Sequence, residues 1–302
     1  MIRVYKIGPE QHKARGLLFG DCLYLSFYWE RSKYTQAMKT FGVVVALLIS
    51  SLTLRAVEVN NGIQTTAPTG SDINNWGSGW GSVSISGWDY VGNLNGASCV
   101  YLGNGWVITA GHVGAGNVTI NGVDCTAVAG STHTLLNPNS SNADLIIFQI
   151  TGDTQLPALT LANGVSIGAT VAMIGYGDDA LHTEKSWGEN TVTLNNTLAT
   201  DSDNGISTVV FGTDYGTSMA WGVPGDSGGA GFIYNSFTHQ WQLAGIMIAD
   251  DPDTKETYLA QLSFYQNQIN SIMASSIPEP SVWTLMAAGF GILLIAGSLR
   301  RK

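Results

Sequence analysis

Three short segments carry side chains whose types and order suit nucleophilic catalysis. Trp106-Val-Ile-Thr-Ala-Gly-His112 is an apolar run that ends in small residues and then a histidine. Asn142-Ala-Asp144-Leu-Ile-Ile-Phe148 takes an aspartate into a second apolar run. Gly225-Asp-Ser227-Gly-Gly229 sets a serine in a glycine-rich loop ahead of the apolar stretch Ala230–Tyr234. A serine hydroxyl is a weak nucleophile until a neighbouring base accepts its proton. An imidazole, which titrates near neutrality, can take that proton and later return it. A carboxylate on the second ring nitrogen fixes the tautomer and stabilises the imidazolium. Glycines beside the serine let backbone N–H groups turn toward one point, where a developing oxyanion can be held.

Taken singly, each segment has a plainer reading: a glycine-rich turn, a structural histidine after a strand, an acid before an apolar strand. Asp124 and Asp153 compete with Asp144, but Asp124 follows His112 by only 12 residues and Asp153 follows its strand instead of opening it. Together, with 32 residues from His112 to Asp144 and 83 more to Ser227, the segments resemble the chymotrypsin/trypsin-like serine protease family. Its motifs are T-A-[AG]-H, D-[IL]-A-L and G-D-S-G-G, and the first and third match best. The resemblance covers about residues 80–272, with Tyr258–Ile269 similar to the family's last strand and helix. It implies an all-β fold of two six-stranded antiparallel β-barrels and a short C-terminal helix, with the site in the cleft between barrels. It also implies a triad of His112, Asp144 and Ser227, an oxyanion hole from the N–H groups of Gly225 and Ser227, and peptide hydrolysis through an acyl-enzyme. No cofactor or metal is expected, because His133, His182 and His239 form no ligand pattern with Cys99 and Cys125.

The sequence departs from the family pattern in places that bear on specificity. Trypsin has an aspartate six residues before its nucleophile, at the base of the specificity pocket; here that position is Trp221. Trp221 either narrows the pocket or packs beneath it. The family's Ser-Trp-Gly substrate-binding strand aligns with Ile248-Ala249-Asp250. In zymogen-type members the acid at Asp226 pairs with a new N-terminal ammonium, and Val59-Asn-Asn-Gly62 resembles the usual mature start. Cys99 and Cys125 lie 13 residues either side of His112. Two readings stay open for them: a disulfide, or free thiols, since the cysteine usually found beside the family's histidine is Val113 here.

The elements that must position these residues read as short strands. In 302 residues there are 37 glycines, 44% hydrophobic residues and only 12% charged ones, a mix that suits a loop-rich β protein better than a helical bundle. Strands are expected at Ser82–Ser86, Ala97–Leu102, Trp106–Ala110, Val118–Ile120, Cys125–Ala129, Leu145–Gln149, Ala169–Gly175, Thr191–Leu194, Ser207–Phe211, Ala230–Tyr234 and Gln240–Ala249. Phe264, Ile269 and Ile272 stand at roughly helical spacing and predict a short closing helix. Asn60–Gly81, polar with two tryptophans, reads as a loop leading into a single domain.

Charge divides the chain into a body and two ends. Seven of the 13 basic residues lie in positions 1–39, and residues 57–277 hold two basic against 18 acidic side chains. That excludes a nucleic-acid binder, which needs clustered Lys and Arg. Met38-Lys39, the apolar run from Phe41 to Leu54 and Ala56 describe a secretory signal peptide over residues 38–56, and residues 1–37 read as a non-structural extension. Residues 57–276 form the expected catalytic domain. Pro278-Glu279-Pro280, the apolar run Val282–Leu299 and Arg300-Arg301-Lys302 resemble the PEP-CTERM sorting signal, over residues 277–302. That resemblance implies a membrane-bound sorting partner, exosortase, transient anchoring by the C-terminal segment, and release to the cell envelope or extracellular matrix. The expected function is a secreted or surface-sorted serine endopeptidase acting on protein or peptide substrates. The alternative is a catalytically weak surface or matrix binding protein on the same fold.

Overall fold

The computed structural model describes residues 57–59, 64–82, 84–177, 184–202, 204–214, 219–251 and 253–275. The expected signal peptide, sorting segment and N-terminal extension lie outside them, as does His182. Among the described residues no helix is long and apolar enough to cross a membrane.

The chain builds two β layers in succession. A two-residue strand, β1 (Glu58–Val59), is followed by a one-turn helix at Gly87–Tyr90. Then come β2 (Val91–Leu94), β3 (Ala97–Gly103), β4 (Trp106–Thr109), β5 (Val118–Ile120), β6 (Val123–Ala127), β7 (His133–Leu136) and β8 (Asn142–Thr151). The hairpins β2–β3, β3–β4 and β5–β6 close through Asn95-Gly96, Asn104-Gly105 and Asn121-Gly122, all six residues at positive φ. Two-residue turns of that hand match the strand twist, which is why Asn-Gly is favoured there. The sheet order is β4-β3-β2-β5-β6-β8-β7, with a further β4–β8 pairing. That pairing curls the sheet back on itself. The first layer therefore has seven strands where six are expected, β7 being the addition on β8.

The second layer is the expected closed six-stranded barrel, ordered β10-β11-β15-β14-β13-β9. Its strands are β9 (Thr170–Tyr176), β10 (Lys185–Thr200), β11 (Ser207–Thr213), β13 (Ala230–Asn235), β14 (Gln240–Asp251) and β15 (Glu256–Gln261). The short β12 (Ala220–Trp221) pairs with β1 instead, Glu58 opposite Trp221 and Val59 opposite Ala220. The closing helix is Gln266–Ser275, with Ile269 buried.

Several expectations are corrected. Among the described residues of the expected strand Ser82–Ser86 there is no strand: Ser86 is the N-cap of the helix at Gly87–Tyr90, with its backbone N–H held by Asp89 Oδ2 at 2.7 Å. β10 is 16 residues long where only Thr191–Leu194 is expected. Its polar residues hide it, yet they are satisfied: Asn190 Nδ2 donates to the Ala220 carbonyl at 2.6 Å and Asn195 Nδ2 to that of Val165 at 2.7 Å. Cys99 and Cys125 are free buried thiols, not a disulfide. They stand on β3 and β6, which β2 and β5 separate in the sheet, and burial raises both thiol pKa values.

The tryptophans of the leading loop anchor it. Trp76 and Trp80 pack edge-on to each other at 4.9 Å, and Trp76 meets Trp241 of β14 at the same separation. Trp80 stacks on Trp241 and lies edge-on to Phe232 of β13. Side chains of this size contribute roughly 2–3 kcal/mol each on full burial, enough to hold a glycine-rich loop against the barrel. Polar bonds then tie the layers together. Tyr265 donates its hydroxyl to Asn137 Oδ1 at 2.7 Å, and Asn137 Nδ2 donates to the Ser207 carbonyl at 2.7 Å. Lys185 Nζ donates to the carbonyls of Trp88 and Val91, while burial lowers its pKa to about 8.

Candidate active site

His112 follows β4 directly, and β4 pairs with β8 through Thr109 opposite Ile146. This register sets Asp144, at the start of β8, beside the turn that carries His112. Asp144 is 2% exposed and grips the histidine twice. Its Oδ1 accepts the His112 backbone N–H at 2.7 Å, and its Oδ2 meets Nδ1 at 2.6 Å. The intervening Gly111 is required by space, since a Cβ there would stand 2.8 Å from Asp144 Oδ1. Asp144 is itself fixed from the other layer, its N–H donating to Thr208 Oγ1 of β11 at 2.9 Å.

The bond to Asp144 raises the His112 pKa above its ordinary value; partial burial opposes this, and the Asp144 charge and that of Asp201 add to it. With Nδ1 engaged, Nε2 is the ring atom left to act as a base. Asp124 and Asp153 are elsewhere: Asp124 accepts from Thr119 Oγ1, and Asp153 from the backbone N–H of Gln155. His133 packs against Trp106, and His239 meets Tyr234 on the β13–β14 hairpin.

The Gly225–Gly229 loop crosses to the first layer. Ser98 of β3 donates its backbone N–H to the Ser227 carbonyl at 3.0 Å. Gly228 sits so close to β3 and β4 that a Cβ would stand 1.9 Å from the Ser98 carbonyl and 2.2 Å from Thr109 Oγ1. Since Thr109 lies three residues before His112, this contact brings the serine loop to the histidine turn. Among the described residues, His112 and Ser227 share no hydrogen bond, and neither the Gly225 nor the Ser227 N–H meets an acceptor. Catalytic bonds are often long before a ligand tightens them. Ser227 is half-buried and His112 is exposed.

Asp226, 1% exposed, points inward. Its Oδ2 accepts the N–H groups of Val223 and Val57, each at 2.9 Å. Burial pushes its pKa up to about 7, against those two bonds. The residue whose nitrogen reaches Asp226 is thus Val57, and not Val59 as the sequence resemblance suggests. Trp221 is buried, with Lys255 Nζ 3.9 Å from its ring centroid. Sequence reasoning missed Val57, which acts through its backbone N–H, Thr208 and Ser98, which act through hydroxyls on distant backbone groups, and Asp201, which acts through space; none of these leaves a motif.

Residues 80–270 match the family described as Trypsin. Among curated proteins, none matches the chain. Solved structures similar to it include the NS6 protease of murine norovirus 1, 18% identical, covering 60% of this chain and 92% of that one at a TM-score of 0.43. The Rv3671c protease of M. tuberculosis in its active form is 18% identical, covering 58% and 73% at 0.43. The HtrA-type protease AlgW with decapeptide is 20% identical, covering 59% and 51% at 0.44. The family match spans well over half of the sequence, so the chain belongs to the trypsin family.

Proposed function

We propose that the protein is a serine endopeptidase, secreted or sorted to the cell surface, that cleaves protein or peptide substrates through an acyl-enzyme. The observation that carries the reading is the double grip of Asp144 on His112, through Nδ1 at 2.6 Å and the backbone N–H at 2.7 Å. With Nδ1 held by the carboxylate, Nε2 is the ring nitrogen that would serve as base. In the acylation step Ser227 Oγ bonds to the scissile carbonyl carbon and its proton passes to His112 Nε2. The C–N bond then breaks and the amine leaves with that proton. A water deprotonated by His112 next attacks the ester, freeing the acid and returning the proton to Ser227. The free N–H groups of Gly225 and Ser227 support the tetrahedral oxyanion, a contribution of roughly 3 kcal/mol per donor. No cofactor enters these steps.

Labelling with a fluorophosphonate probe tests this reading. The full chain should be labelled at Ser227, and Ser227→Ala should abolish both labelling and peptide hydrolysis. A folded protein that is neither labelled nor hydrolytic would favour the binding-protein alternative.

We further propose that residues 38–56 are removed on export. Exosortase would then recognise Pro278-Glu279-Pro280 and detach the C-terminal segment, after transient anchoring in the membrane. The support is the sequence order of Pro278-Glu279-Pro280, an apolar run long enough to insert and a basic tail of the kind that resists translocation. Intact-mass measurement of surface-recovered protein should find nothing after about Pro280; recovery of the whole apolar tail would instead indicate a permanent anchor.

A further inference from the structure

We propose that the side-chain hydroxyl of Ser98 is a positioning residue for the oxyanion hole, bracing the catalytic loop at the Gly225 carbonyl. The inference rests on the reading of Ser227 as nucleophile. Ser98 is fully buried in β3, and each of its polar groups is engaged. Its N–H holds the Ser227 carbonyl at 3.0 Å, and its carbonyl accepts Thr109 Oγ1 at 2.8 Å. Its Oγ accepts the Tyr176 N–H at 2.7 Å and donates to the Gly225 carbonyl at 3.4 Å.

The direction of that last bond follows from the donor inventory. A backbone N–H can only donate, so Tyr176 occupies a lone pair of Ser98 Oγ, and the single hydroxyl proton is left for an acceptor. The acceptor is the carbonyl of Gly225, whose own N–H is one of the two oxyanion donors. Gly225 has φ +95°, and glycine leaves the orientation of its flanking peptides loosely determined. On the far side of the same peptide, the Asp226 N–H donates to the Val223 carbonyl at 3.0 Å. Ser98 and Val223 therefore hold both ends of the 225–226 peptide. One residue of β3 fixes the carbonyls of Gly225 and Ser227, the two residues whose N–H groups must converge on one oxygen. Tyr176 ends β9 next to Gly175, where an added Cβ would stand 2.2 Å from Asp226 Oδ1, so the brace is seated on the barrel that carries the loop.

An oxyanion-hole donor that is less well aimed weakens the transition state more than the bound substrate. Ser98→Ala should therefore lower kcat by about tenfold, less than loss of a donor itself, with KM little changed. Affinity for a peptide aldehyde, which forms a hemiacetal oxyanion on Ser227, should fall by the same factor. The acid limb of the pH–rate profile should stay in place, because the His112–Asp144 pair is untouched. Ser98→Cys, which fills the space with a far weaker hydrogen-bonding group, should show the same losses in a folded protein, and Ser98→Thr should recover most of the activity. A folded Ser98→Ala or Ser98→Cys enzyme with kcat and aldehyde affinity within twofold of wild type would overturn the role of Ser98 alone. Equal losses in kcat and substrate binding, not recovered by threonine, would overturn it too, marking a structural residue only. A wild-type chain inert to both aldehyde and fluorophosphonate would overturn the reading of Ser227, and this inference with it.

Discussion

The backbone nitrogen of Val57 donates to Asp226 Oδ2 at 2.9 Å across 169 residues of chain. Asp226 is next to Ser227, and its other oxygen has no partner among the described residues. A buried carboxylate needs a cation or full hydrogen bonding to stay ionised cheaply. While Val57 is an amide, the Asp226 carboxyl is pushed up to about 7. A cut after Ala56 would turn the same nitrogen into an ammonium already in place.

The pH dependence separates the two forms. With the amide, the folded-state pKa of Asp226 lies above its unfolded value, so the native state holds the extra proton. That stabilisation is complete at acid pH and is lost as pH rises toward about 7. With the ammonium, the carboxyl is depressed instead. Stability is then present above the unfolded carboxyl value and fades only above about pH 8, the amine's ordinary value, as pH rises through the higher value that its pairing gives it. A chain beginning at Val57 should therefore melt higher at pH 7 than one retaining Ala56, and hydrolyse peptides at least tenfold faster. Melting curves and rates across pH 4–9 check this; coincident profiles would refute it.

Asp144→Asn leaves the shape of the site and removes the charge that orients and raises His112. A protonated imidazole cannot serve as base, so wild-type activity should fall as pH drops through the raised His112 value. The variant should lose roughly 10⁴-fold in kcat, and its acid limb should move to lower pH. Rates measured from pH 5 to 9 would reveal an unshifted limb if another acid held the ring.

The closed barrel and the pairing of His112 with Asp144 were readable because their signals are local. His112, Asp144 and Ser227 each stand at a strand end in a short motif, and apolar runs such as Leu145–Gln149 mark strands buried on both sides. The misses share a different physics. β10 carries polar residues whose partners are distant carbonyls, so neither run nor alternation exposes it. Ser82–Ser86 reads as a strand although Ser86 caps the helix at Gly87–Tyr90, because a four-residue helix has no period to display. Ser98 and Val57 contribute a hydroxyl and a backbone nitrogen to partners more than 120 residues away, contacts that only the folded chain defines.

Gly228→Ala tests the meeting of the two layers. At φ +87° the position already disfavours a side chain, and a Cβ would stand 1.9 Å from the Ser98 carbonyl. The loop must then withdraw from β3 and β4, separating Ser227 from His112. The variant should lose at least 10³-fold in activity and several degrees in Tm, as strained and overpacked substitutions do. Near-normal hydrolysis by this variant would mean that the serine loop works from another position.

Specificity should exclude Lys and Arg at the cleaved position. Where trypsin has its pocket acid, this chain has Trp221, 7% exposed and covered by the Lys255 ammonium 3.9 Å from its ring centroid. The neighbouring Gly222 is pinned by its N–H to Thr257 Oγ1 at 2.7 Å, which ties the segment after Trp221 to β15. A cationic side chain arriving there would find a like charge and no carboxylate from position 221. Leaving such a group desolvated without a partner costs several kcal/mol. The competing acid is Asp250, half-buried on β14, whose carboxyl is pushed up to about 6 by burial and then by Asp251. Near pH 5 it is largely protonated and near pH 8 ionised, so any help it gives a cation must grow with pH. A peptide-library digest at both pH values distinguishes the cases. Cleavage after uncharged residues at both is the expected result; a Lys/Arg preference that emerges at pH 8 and disappears in Asp250→Asn would transfer the pocket's recognition to Asp250.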